Sequence, residues 1–173
     1  MRSSHWLLPL WVFAFAHGTV AAGRDDIANP AIDMDGFLRV ANETAAHRAS
    51  HRLSEEEFIR MSRLPGAVIL DARSKQMYDA LHVRGAINLS FPDIAIASLA
   101  ATLPDKDTRI LIYCNNNFSN LDMAFATKVP RASLNLSTYI ALYTYGYRNV
   151  YELGPMLDGD TTKIAFDGWL TRR

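Results

Sequence analysis

Three short runs in the chain are apolar almost without interruption: Ala67–Asp71 (AVILD), Arg109–Tyr113 (RILIY) and Asn149–Leu153 (NVYEL). Continuous rather than alternating runs of this length are the pattern of strands buried on both faces, as in a parallel sheet. A fourth run, Gly85–Leu89 (GAINL), reads the same way. Between them lie segments with helical spacing. Lys75–Leu81 is one, Ile94–Leu103 between Pro92 and Pro104 is a second, and Ala132–Tyr145, ended by Gly146, is a third. Upstream, Ser54 followed by Glu57 forms a capping box and predicts a helix from Ser54 to Arg63, stopped by Pro65 and Gly66. Residues 34–50 suit a helix with Asp35 as N-cap and with Phe37, Leu38 and Ala41 on one face. Strands alternating with helices predict an α/β fold with a mostly parallel central sheet flanked by helices.

The first segment has a different pattern. Arg2 precedes the apolar run Trp6–Ala16, and Val20-Ala21-Ala22 offers a small-residue cleavage site before Gly23. That order is the signature of a secretory signal peptide. The alternative, a membrane anchor, has too short a run, interrupted by Pro9 and bounded by His17. No cysteine follows the run to take a lipid. The expectation is removal of residues 1–22 and a periplasmic or secreted mature chain. The polar residues 23–33 then form a linker. Cleavage leaves 17 basic against 18 acidic residues, a formal charge of −1. Nothing in this balance suggests a nucleic-acid surface, which needs clustered Lys and Arg. No later stretch is long and apolar enough to span a bilayer.

Cys114 is the only cysteine, so no disulfide can form within the chain. It follows RILIY directly and opens the polar loop NNNFSN. Ligands of open α/β sheets gather outside the carboxyl ends of the strands, which is where this reading puts Cys114. A loop folding back over a strand end can aim backbone N–H groups at an anion, including a thiolate, and Asn tolerates the left-handed conformation such a cradle uses. The same pattern also arises around a buried, inert cysteine. The candidate site is therefore Cys114 with Asn115, Asn116, Asn117, Phe118, Ser119 and Asn120. His47 and His51, spaced i, i+4, could chelate a metal but read better as a solvated helix face. With His82 they are the only histidines beyond residue 22, and no metal or cofactor site is expected. Tyr139, Tyr143 and Tyr147 repeat at i, i+4, i+8 and read as one packed helix face.

At these residues the chain resembles the rhodanese-like domain family. VILDARS (Val68–Ser74) is similar to the family's Asp-x-Arg strand end. Tyr78 with HVRGAINL (His82–Leu89) resembles its His-x-x-Gly-Ala-x-Asn segment. ILIYC (Ile110–Cys114) resembles the strand leading to its active-site cysteine, and GYRNVYELG (Gly146–Gly154) its late strand. The resemblance runs from Leu53 to Phe166, which makes residues 23–52 an N-terminal linker and helix, 53–166 the domain and 167–173 a tail. It implies sulfur transfer, with Cys114 carrying a persulfide between a small sulfur-containing donor and a nucleophilic acceptor such as a protein thiol. Asp71, Arg73 and His82 match structural positions of the family.

Two departures bear on activity. The family's loop runs Cys-x-x-Gly-x-Arg, whereas Asn117 and Ser119 stand here in place of Gly and Arg. The missing guanidinium argues against thiosulfate as donor, and the missing Cys-x5-Arg argues against phosphate-ester hydrolysis. Cys114 and Gly146 are also 32 positions apart, longer than the family's spacing. The surplus, Leu121–Arg131, predicts an ordered excursion beside the site, acting as a lid or as padding. Its Lys128 or Arg131 could fold back to replace the missing Arg. Three functions stay open at this point: sulfur transfer, a non-catalytic binding module, and a thiol redox sensor.

Overall fold

The computed structural model describes residues 29–172. The expected signal peptide lies outside these residues. The chain divides into two units after Asp33. Of the first, residues 29–33 are described: Asn29 closes a turn, its Oδ1 accepting from the Ala31 N–H at 3.0 Å.

The second unit runs in chain order α1 (Met34–Ala49), β1 (Arg52–Leu53), α2 (Glu55–Ser62), β2 (Ala67–Asp71), α3 (Lys75–Ala80), β3 (His82–Val83), β4 (Ile87–Asn88), α4 (Ile96–Thr102), β5 (Arg109–Tyr113), β6 (Phe118–Ser119), α5 (Leu134–Thr144), β7 (Val150–Leu153), β8 (Leu157–Asp158) and β9 (Phe166–Asp167). Five strands form a central sheet in the order β1-β7-β5-β2-β4, every pair parallel. This is the α/β architecture the apolar runs predict. The capping box is present: Ser54 Oγ accepts from the Glu57 N–H, and Glu57 Oε2 accepts from the Ser54 N–H. Such a cap is worth about 1 kcal/mol.

The central strands show why an uninterrupted apolar run is needed. Along β5, Leu111 and Tyr113 enter one core with Phe58, Ile69, Phe118 and Phe125. Ile110 and Ile112 enter the other with Leu70, Leu99, Tyr139 and Leu142. Successive residues thus face opposite layers, and both layers are covered.

α1 corrects one expectation. The helix forms, but Phe37 and Leu38 are about half exposed, at 53% and 52%. Its inner face is Gly36, Val40, Thr44, His47 and Arg48, with Ala41 half-buried as expected. The reason is polar. Arg48 donates to both oxygens of the buried Glu152 carboxylate, at 2.7 and 2.5 Å, and His47 Nδ1 lies 3.0 Å from Tyr139 Oη. Arg52 grips the same carboxylate at 3.0 Å. The expected solvated face of His47 and His51 is corrected too. Their rings stack at 4.0 Å, His47 edges onto Tyr143 and His51 lies against Tyr151.

The tyrosine stripe packs as expected, with one change. Tyr139 and Tyr147 are fully buried, but α5 stops at Thr144 and Gly146 turns the chain with φ 92°. Tyr147 therefore enters from the loop and donates to the Leu103 carbonyl at 2.6 Å.

Candidate active site around Cys114

The strand order places the site. From β2 the chain moves outward to β4, and from β5 it moves the other way to β7. The carboxyl ends of β2 and β5 therefore flank the switch point, where crevices open in such sheets. Asp71 ends β2 in register with Tyr113 of β5, and Cys114 follows.

On the β2 side, Asp71 and Arg73 form a buried, multiply bonded pair. Arg73 Nε and Nη2 reach the Asp71 carboxylate at 3.0 and 2.6 Å. The guanidinium also donates to the carbonyls of Ala124 at 2.8 Å and Leu81 at 2.7 Å, and it lies 3.8 Å above the Phe125 ring. Burial alone would lower the Arg73 pKa, but the hydrogen bonds and charge of Asp71 outweigh it and the net direction is upward. Tyr113 Oη donates to Asp71 Oδ2 at 2.5 Å and accepts from the Val83 N–H at 3.1 Å. Burial, reinforced by Asp71, pushes the Tyr113 phenol well above its ordinary range. The guanidinium spends most of its donors within the fold, where it ties β2, α3 and the excursion together. His82 stacks on Tyr78 at 3.9 Å with Nδ1 2.7 Å from the Tyr78 carbonyl oxygen.

On the β5 side, Cys114 is only 1% exposed. Asn115–Asn117 form a turn of 3-10 helix that ends as the backbone turns out into β6, which pairs with β8. Within this turn the Asn116 N–H points at Sγ, 3.4 Å away. A second polar group comes from far along the chain: Ser133 Oγ, just before α5, lies 3.4 Å from the same sulfur. Sequence reasoning missed Ser133. Its one signal was a Ser ahead of an apolar helical run, where a cap is expected, yet its hydroxyl does not cap the helix.

The other loop residues have distinct surroundings. Asn117 is buried and braces the turn. Its Oδ1 accepts from the Cys114 N–H at 2.8 Å and from Asn135 Nδ2 at 3.0 Å, and its Nδ2 donates to the carbonyls of Leu153 and Pro155. Phe118 is fully buried among aromatic rings, 4.9 Å from Phe125 and 5.0 Å from Phe166. Ser119 donates to the Leu157 carbonyl, and Asn120 to Asp158 Oδ1. Asn115 is buried. The left-handed backbone that the asparagines of this loop tolerate occurs at Asn120, φ 61°.

The excursion is ordered. Ala124 and Phe125 are buried in the core, and Lys128 is tied through its backbone to the Asn116 side chain. The side chains of Lys128 and Arg131 are exposed. A hollow of about 390 Å³ lined by Leu81, Leu121, Met123, Phe166 and Leu170 lies where the excursion meets the tail, and Cys114 does not line it. Among the described residues no cluster of three or more His, Cys, Asp or Glu is placed to hold a metal, and no helix is long and apolar enough to cross a membrane.

Residues 54–153 match the family model described as the rhodanese-like domain. No curated protein matches significantly. Among solved structures, the rhodanese-like domain of the Alr3790 protein from Anabaena sp. aligns with a TM-score of 0.51 at 20% identity, over 71% of this chain and 83% of that one. The BH2092 protein from Bacillus halodurans aligns with a TM-score of 0.51 at 19% identity, over 77% and 88%. At these identities the structures support the fold.

Proposed function

Because the chain belongs to the rhodanese-like domain family, we propose that it carries sulfane sulfur as a persulfide on Cys114. The observation that carries this reading is the sulfur's position. It sits at the carboxyl end of the central strand, at the sheet's switch point, with an N–H from Asn116 and the hydroxyl of Ser133 directed at it. Both groups stabilise negative charge on Sγ.

The chemistry balances without an outside oxidant. The Cys114 thiolate attacks the outer sulfur of a donor persulfide, RS–SH. An S–S bond forms at Sγ, the donor's S–S bond breaks, and RS⁻ leaves with the electron pair. An acceptor thiolate then takes the outer sulfur and returns Cys114 as thiolate. The proton carried by the outer sulfur passes to RS⁻, so RSH departs and the bound persulfide keeps the negative charge. Among the described residues no guanidinium is bonded to Sγ, so a doubly charged thiosulfate has no counter-ion there. The preferred donor is a singly charged organic persulfide.

The 1% exposure of Cys114 favours a second reading, a binding module that keeps the cysteine as a packing residue. Intact mass after incubation with glutathione persulfide separates the two. Sulfur transfer predicts a gain of one sulfur atom on the wild type and none on Cys114→Ser. A protein that neither gains sulfur nor alkylates while folded is a binding module. The order of charge, apolar run and small residues at the N-terminus supports export with cleavage before Gly23. N-terminal sequencing of the protein recovered from a secreting host tests it, and a retained Met1 would overturn it.

A further inference from the structure

The excursion between the core and α5 has two unlike halves. Ala124 and Phe125 are anchored in the core, but Ala126–Ala132 is exposed at every residue. Among the described residues, the hydrogen bonds tying that stretch to the rest of the molecule come from one side chain. Asn116 Nδ2 donates to the Lys128 carbonyl at 2.7 Å, and Asn116 Oδ1 accepts from the Lys128 N–H at 3.2 Å. The carboxamide pairs with both backbone groups of one residue, as a neighbouring strand would. The remaining backbone bonds there are internal: Ala132 N–H to Val129, and Ser133 N–H to Pro130.

Two pinned points of this stretch flank the sulfur. Asn116 holds its middle and presents its own backbone N–H to Sγ. Ser133, where it ends, presents a hydroxyl to Sγ. We infer that Ala126–Arg131 is a strap across the path to Cys114, and that the Asn116 side chain is its latch and selects sulfur donors by size. The inference rests on the reading of Cys114 as the reacting atom. With the latch closed the thiol is covered. With it open, the strap swings about its anchors at Phe125 and Ser133 and admits a bulkier reagent.

Asn116→Ala removes the latch and keeps the backbone N–H that faces Sγ. The test compares Cys114 labelling of the full chain by N-ethylmaleimide and by a fluorescein-tagged maleimide, with amide exchange at Lys128 read alongside. Removing two exposed hydrogen bonds should speed labelling by the bulky reagent about tenfold. The small reagent should gain less, and protection of the Lys128 amide should disappear while β5 stays protected. Asn116→Asp, which keeps the acceptor and loses the donor, should fall between and serves if the Ala variant does not fold. Equal labelling rates in a folded variant that has lost Lys128 protection would overturn the strap. A Lys128 amide already unprotected in the wild type would overturn the latch. Labelling needs no sulfur donor, so a gated thiol that never gains sulfur would leave the strap standing and remove the persulfide reading.

Discussion

Arg73→Met removes a guanidinium that satisfies Asp71, Ala124 and Leu81 at once, and it strands a buried carboxylate. Breaking one side of such a pair costs about 3–5 kcal/mol. Denaturant unfolding should show a loss of that size, and a loss below about 1 kcal/mol would mean that water replaces the guanidinium. Ser133 tests the chemistry instead. One hydrogen bond to a thiolate corresponds to about a fivefold effect, so Ser133→Ala should slow alkylation of Cys114 at pH 7 by about that factor, with Ser133→Thr recovering it. A purely structural Ser133 would change stability and leave the rate alone. Cys114, Asp71, Arg73 and His82 were legible in the sequence because each sits on a strand end or in a short motif. Ser133 was not, because it lies 19 positions from the sulfur it faces and only the fold brings it there.

At the level of elements, α1 shows where pattern reading fails. Apolar Phe37 and Leu38 suggested the inner face, but the helix docks through Arg48 and His47, polar groups whose partners on β7 and α5 are distant in sequence. A periodicity argument weighs side chains by hydropathy and has no access to a buried Glu152 waiting across the interface. This docking should respond to pH. Burial, then the facing charges of His51 and Arg148, hold the His47 pKa below its ordinary value of 6.5. Tyr139 and Tyr143 also face the ring, and burial pushes the Tyr139 phenol up, so it stays protonated. The unfolded chain therefore binds the proton more readily than the folded one. The stability His47 contributes is present above pH 6.5 and is lost as pH falls below it. Thermal unfolding should report a lower midpoint at pH 5.5 than at pH 7.5, and His47→Gln should flatten that difference. An unchanged slope in the variant would assign it elsewhere.

The whole molecule extends beyond the segment that matches its family. The match begins at residue 54, whereas α1 covers α5 and β1 extends the sheet beside β7. A chain shortened to begin at Leu53 leaves Glu152 without both arginines and uncovers Tyr139. It should unfold several degrees below the full chain, with poor solubility, and equal melting temperatures would make α1 dispensable. The parallel architecture itself was readable, since only strands covered on both faces need uninterrupted apolar runs. The order of strands was not, because each run looks much like the others.

That order has a consequence for how the protein comes into being. Arg52, on the edge strand that is the earliest among the described residues, pairs with Glu152 a hundred residues later. A ribosome delivers the chain from its beginning, so β1 must wait, unpaired, until β7 has emerged. Its slot in the sheet opens only when nearly the whole sequence is available. A nascent chain halted anywhere before Glu152 therefore holds no complete sheet.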